Sequence, residues 1–198
     1  MIELVVLGAT LALAAGASGA TVRRRLVAAR SFEQYARRRS HRFVPAPRGG
    51  QSPRIEGAKD DVPFTVDFVR VSGAVRTRIR APVVKGPGAK LAVVQKGVLA
   101  RALGGSDAGR RDDAVGIPAF DAAYEMHGMA PDEARAWVAG VLAALTCLDE
   151  RRDVWIGSDG VTVTMLWGGV EKNPVLIDAA RDLTVSLASW HRPETPYR

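Results

Sequence analysis

The chain has 198 residues, with 28 Lys and Arg against 21 Asp and Glu, for a formal charge of +7. Its one cysteine, Cys147, excludes any intrachain disulfide. The excess charge sits in residues 23 to 54, which hold ten arginines against Glu33, whereas residues 55 to 198 hold 18 basic and 19 acidic side chains. This argues against a nucleic-acid-binding domain, whose basic patch belongs on the folded surface.

Leu4 to Val22 is a run of 19 uncharged residues. As a helix it would span ~28 Å, close to the ~30 Å hydrocarbon core, which predicts a membrane anchor. Arg23, Arg24 and Arg25 follow at once and would face anionic headgroups on the cytoplasmic side. The expectation is a single-pass inner-membrane protein with a cytoplasmic domain and the lipid bilayer as a partner. The alternative is a cleaved signal ending near Ser18-Gly19-Ala20, which exports the domain. Glu3 opposes it, because a base belongs there. Gly8, Ala12, Gly16 and Ala20 form a small-residue stripe that would suit a homodimer of membrane helices.

Leu26 to Arg39 has helical composition, with Phe32, Tyr35, Ala36 and Arg39 on one face. It reads as a continuation of the anchor or as a helix on the membrane surface. Pro45, Pro47, Gly49, Gly50 and Pro53 mark a linker. Phe64, Val66 and Phe68, then Val75, Thr77 and Ile79, alternate with polar residues around Ser72-Gly73 and predict a hairpin. Leu91 to Gln95 reads as a third strand, Val98 to Leu103 is ambiguous, Gly104 to Gly116 is a loop, and Phe120 to His127 reads as a fourth strand. Pro131-Asp132-Glu133 opens a helix whose inner stripe is Ala134, Trp137, Val138, Val141, Leu142, Leu145 and Leu148. Asp159-Gly160 joins Val154–Ile156 to Val161–Trp167 in a second hairpin. Asn173 caps the last helix, with Pro174 in its first turn and Leu176, Ala180, Leu183, Leu187 and Trp190 inward.

The stretch Gly116-Ile-Pro-Ala-Phe-Asp-Ala-Ala-Tyr-Glu-Met, followed by Pro131-Asp-Glu-Ala-Arg, resembles a group of uncharacterised bacterial membrane-anchored proteins. In that group a Phe-Asp-x-x-aromatic strand precedes an amphipathic helix. Arg76-Thr-Arg-Ile and Ala36-Arg-Arg-Arg-Ser-His-Arg-Phe are similar to it too, so the resemblance spans most of residues 32 to 190. It implies an anchored domain of unknown function and supplies no catalytic residues.

Candidate chemistry is sparse. His41, His127 and His191 are far apart in sequence and form no zinc motif. On a strand, Asp121, Glu125 and His127 share parity and would line one face. Ser106-Asp107 and Asp112-Asp113 lack calcium-loop spacing, and Gly86-Pro87-Gly88-Ala89-Lys90 lacks the Gly-Lys-Ser/Thr of a phosphate loop. Cys147 and the hairpin tryptophans Trp155 and Trp167 read as core. Arg76, Arg78 and Arg80 project from one strand face and suit an anionic contact, set against simple pairing to cross-strand acids.

The fold expected is α+β: an N-terminal transmembrane helix at 1–22, a basic juxtamembrane segment and linker at 23–54, and a domain at 55–198. That domain would be a largely antiparallel sheet with two packed helices in the order ββββ-α-ββ-α. The function expected is non-enzymatic binding or scaffolding of a protein partner, with no nucleic acid, no cofactor and no metal. The alternative is a membrane-anchored hydrolase using Asp121, Glu125 and His127.

Overall fold

The computed structural model describes residues 27–46, 52–84, 90–96, 114–148, 151 and 153–190. Helical residues 27–38 form α1. The strands β1 (Arg42–Val44), β2 (Arg54–Lys59), β3 (Val62–Val71), β4 (Ala74–Pro82) and β5 (Lys90–Gln95) follow. Then come α2 (Pro118–Ala123), β6 (Tyr124–His127), α3 (Pro131–Leu148), β7 (Trp155–Asp159), β8 (Thr162–Gly168) and α4 (Pro174–Ala188). The eight strands form one sheet in the order β1-β2-β3-β4-β8-β7-β5-β6, and every neighbouring pair is antiparallel.

Local chemistry sets the turns. Asp60 and Asp61 between β2 and β3, and Ser72 and Gly73 between β3 and β4, all have positive φ. Two left-handed residues in succession match the right-handed twist of the strands they join. Aspartate tolerates this conformation better than most side chains. Between β7 and β8, the Asp159 carboxylate accepts the amides of Val161 (2.8 Å) and Thr162 (2.7 Å). Those amides hold its pKa below the usual carboxylate value. Asn173 Oδ1 accepts the Val175 amide at 3.0 Å and, with Pro174, starts α4.

The sheet is covered from one side. Phe64, Val66 and Phe68 of β3, Ile79 of β4, Val163, Met165 and Trp167 of β8, and Ile156 of β7 share one core cluster with the inward residues of the helices. Trp137 of α3, Leu183 of α4 and Phe32 of α1 belong to it and are almost fully buried. Phe32 packs on Phe68 with ring centroids 4.3 Å apart and ring planes tilted by 32°.

Several expectations are corrected here. The α+β class stands, but the membrane anchor does not: among the described residues no helix is long and apolar enough to cross a membrane. Leu4–Val22, Arg23, Arg24, Arg25 and the stripe Gly8, Ala12, Gly16 and Ala20 lie outside the described residues. The single-pass inner-membrane localisation, the bilayer as partner and the stripe-mediated homodimer are therefore withdrawn. The element order also differs from ββββ-α-ββ-α. Two further strands, β1 and β2, precede the first expected hairpin, and α1 packs into the core. Phe120 to Ala123 is helical because Pro118 fixes the first turn, and only Tyr124 to His127 is strand. Cys147, expected inside, is exposed on α3.

Candidate functional site

The strand registers place two residue rows side by side on the sheet face opposite the core. From β3 to β6, one row reads Asp67, Arg78, Leu166, Trp155, Val94, Glu125. The next reads Thr65, Arg80, Thr164, Gly157, Ala92, His127. None of these residues belongs to the core cluster to which the helices contribute. Among the described residues this face is free of helices.

Its centre is apolar. Trp155 is partly exposed, and its ring lies over Gly157: a Cβ built there would meet Trp155 Cζ2 at 2.3 Å. Val94, beside it in the row, is 3% exposed although it is not part of the core. Trp155 is thus not a core residue like Trp167, because Ile156 and Met165 take the inward positions of the paired strands.

One flank is basic. Arg76, Arg78 and Arg80 all project on this face, as their alternation with Val75, Thr77 and Ile79 requires. Arg78 forms a two-pronged pair with Asp67, Nε at 2.8 Å and Nη2 at 2.6 Å, and this contact raises its pKa. Arg80 reaches the same carboxylate only at 3.9 Å and is more exposed. Arg76 turns to the end of the sheet, 3.9 Å from Asp153 Oδ2, and donates to the Asp153 carbonyl at 3.3 Å. Pairing to acids therefore accounts for Arg76 and Arg78, while Arg78 and Arg80 share one carboxylate and leave one positive charge in surplus.

The other flank carries Glu125 and His127, with Nε2 and Oε2 3.8 Å apart. Asp121 does not join them. It sits on α2, where its carboxylate accepts the amides of Val115 (2.9 Å) and Gly116 (2.8 Å). Arg135 Nε donates to the Val115 carbonyl at 3.1 Å, and Lys96 Nζ to the Asp121 carbonyl. Asp121 fastens a loop, so the expected hydrolase constellation of Asp121, Glu125 and His127 does not converge. Among the described residues no group of three His, Cys, Asp or Glu could hold a metal ion. Ser106, Asp107, Asp112, Asp113 and His191 lie outside the described residues.

Two polar clusters escaped the sequence reading because their members are far apart in the chain. The first joins α1 to α4. Tyr35 Oη donates to Asp178 Oδ1 at 2.7 Å, and Arg39 and Arg181 (2.8 Å) pair with the same carboxylate. Arg181 also pairs with Asp182 at 2.7 Å, as does Lys59 at 2.7 Å. Burial first, then the bond to Asp178, pushes the Tyr35 pKa well up. His41 packs edge-on against Phe64, and burial followed by the charge of Arg181 lowers its pKa. The second cluster holds the turn into α4. The nearly buried Glu171 carboxylate accepts the Lys172 and Asn173 amides at 2.9 Å each and pairs with Arg151 at 3.1 Å. Thr77 Oγ1 donates to the Gly169 carbonyl at 2.8 Å and accepts the Glu171 amide at 2.9 Å. In both clusters every carboxylate is paired with at least one cation and the geometry is closed, as in structural clasps.

No family model matches the chain, and no curated protein matches it. The resemblance to uncharacterised membrane-anchored proteins is therefore corrected. Among solved structures, the fold is similar to that of the mycobacterial trehalose monomycolate transport factor A, TtfA. The TM-score is 0.53 at 9% identity, covering 81% of this chain and 92% of that chain. At that identity the likeness shows the fold alone.

Proposed function

We propose that the chain is a non-catalytic binding domain that presents the helix-free face of its sheet to a ligand. The observation that carries this reading is Trp155, a partly exposed indole lying over Gly157 between an arginine flank and a Glu125–His127 flank. Trp and Arg are the residue types that concentrate binding energy at interfaces. The face is a broad pleated surface, which suits an extended ligand better than a small molecule in need of a concave cleft. TtfA is a trehalose monomycolate transport factor. For this chain we infer a role that holds another component without transforming it.

Site-specific photo-crosslinking in producing cells tests the proposal. A photoreactive residue in place of Thr164, on the face, is expected to give adducts. The same residue in place of Val175, 61% exposed on α4, is expected to give none. Absence of adducts at Thr164, or equal labelling at both positions, would overturn it.

A further inference from the structure

The arginine flank of the helix-free face does not end at β4. The registers continue the row of Arg80 through Thr65 on β3 and Glu56 on β2 to Arg42 on the edge strand β1. Ile55 of β2 is buried in the core, so its neighbour Glu56 faces the helix-free side, and so does Arg42 opposite it. Two triads of the same build result, each a carboxylate between two arginines. In the first, Glu56 accepts Arg54 Nε at 2.6 Å, while Arg42 Nη1 stands off at 3.5 Å. In the second, Arg78 grips Asp67 at two points, while Arg80 Nη2 stands off at 3.9 Å. Each triad has one tight arginine and one loose one, and two arginines against one carboxylate leave each with a net positive charge. The loose pair, Arg42 and Arg80, have side chains 78% and 44% exposed and lie in one row.

We propose that this half of the face binds an extended acidic polypeptide segment laid across the strands, with one carboxylate on Arg42 and another on Arg80. The proposal rests on the reading of the helix-free face as a binding surface and names the ligand class that the surface takes.

The spacing fits. Three strand intervals of ~4.8 Å separate β1 from β4, so the two loose arginines are anchored ~14 Å apart. An extended chain rises ~3.3 Å per residue and its side chains alternate, so residues i and i+4 project to one side ~13 Å apart. Acidic residues at that spacing meet both arginines. Beyond Arg80 the segment continues over Thr164 toward Gly157 and Trp155, where an apolar side chain finds the indole. The carboxylates already on the face decide against a uniform polyanion. Glu56 lies between Arg42 and Arg80 in their own row, and Asp67 lies in the next. A phosphate backbone, charged at every unit, would set a like charge over Glu56. A peptide whose intervening residues are uncharged passes over it.

Fluorescence anisotropy with the purified full chain is the test. The probe is a labelled peptide with Glu at i and i+4 and a Leu upstream, beside the same peptide with Gln for Glu. The Glu peptide should bind at about 10 mM salt and release toward about 0.1 M, as the screening length falls from ~30 to ~10 Å. The Gln peptide should not bind. Arg42→Gln and Arg80→Gln should each weaken binding roughly two- to fivefold, the range of exposed ion pairs. Both variants leave the tight arginine on its carboxylate, so neither strands a charge, and the far-UV circular dichroism should match the parent. Arg30→Gln removes the same charge from an exposed position on α1, in the helix layer, and should leave the affinity unchanged. No binding at low salt, equal binding of the Gln peptide, or an equal loss in Arg30→Gln overturns the inference. Tighter binding of an oligouridylate or of phosphatidylglycerol vesicles, with the same dependence on Arg42 and Arg80, overturns it too. If it is overturned while Thr164 still gives photo-adducts, the binding-domain reading survives with another ligand. If Thr164 gives none, both readings fall together.

Discussion

Replacing Phe32 with alanine tests whether α1 is part of the folded unit. The side chain is fully buried, packs against Phe68 and belongs to the core cluster of the described residues. Truncation removes roughly 100–150 Å² of buried apolar surface, which at ~25 cal/mol per Å² is about 2.5–4 kcal/mol. The lost aromatic contact adds ~0.5–1.5 kcal/mol. Together these match the ~3–5 kcal/mol typical of Phe→Ala in cores. Urea unfolding of the full chain, followed by circular dichroism, should show the unfolding free energy fall by that amount, through a lower midpoint with an unchanged slope. Heating should show a melting point lower by roughly 8–16 °C for a chain of this size. A linker or membrane-surface helix predicts almost no loss. A change below ~1 kcal/mol would refute the assignment of α1 to the core. The same reasoning bears on truncation: a chain beginning at Ile55 loses α1, β1 and the start of β2, and with them Phe32 and two of the partners of Asp178, Tyr35 and Arg39. It should aggregate rather than unfold cooperatively.

Trp137→Ala should cost about 3–5 kcal/mol by the same assay, since the indole is 1% exposed in the α3 core face. The raised Tyr35 pKa makes the folded state reluctant to ionise, so stability should fall as pH rises past the ordinary 10.0, and less steeply in Tyr35→Phe. His41 has the opposite sign: its lowered pKa means that the unfolded chain protonates first, so stability should drop as pH falls below 6.5, and His41→Gln should flatten that slope. Arg80→Gln should alter stability by under ~0.5 kcal/mol, while Arg78→Gln, which strands the largely buried Asp67 carboxylate, should cost about 1–2 kcal/mol; equal effects would contradict the unequal pairing. Gly157→Ala should shift the Trp155 fluorescence, because the new methyl displaces the far end of the indole.

What was legible in the sequence follows the range of the interactions. The β3–β4 hairpin, α3 and α4 were readable because period and turn chemistry are local: Ser72-Gly73, Pro131 and Asn173-Pro174 each carry their own signal. The core stripe of α1 was also visible, in Phe32, Tyr35 and Ala36. The surrounding arginines drew it toward a membrane surface, whereas Arg39 in fact pairs with Asp178 on a helix 139 residues away. That pairing has no local signature. Nor does the insertion of β8 and β7 between β4 and β5, which assembles the two rows of the open face. The wrong parity for Asp121 had a local cause. Pro118 turns the chain into helix just before the strand begins, so Asp121 and Glu125 never share an extended backbone.

Trp155 and Trp167 show how one hairpin can serve two purposes. Both stand on β7–β8, and both read as core from composition. Register separates them: Ile156, Met165 and Val163 form the inward set, and the residues at odds with them face out. An outward indole on a strand is free to tilt into solvent unless something holds it down. Gly157, two residues on and on the same face, removes the Cβ that would lift the ring. A glycine inside a strand weakens it. Here the cost is set against an aromatic surface packed over the strand at the middle of the sheet, with Leu166 and Val94 on its two sides. The local pattern Trp-x-Gly on a strand is therefore the part of the candidate site that a sequence can show. The arginine flank and the Glu125–His127 flank that give it direction become visible only when the strands are ordered.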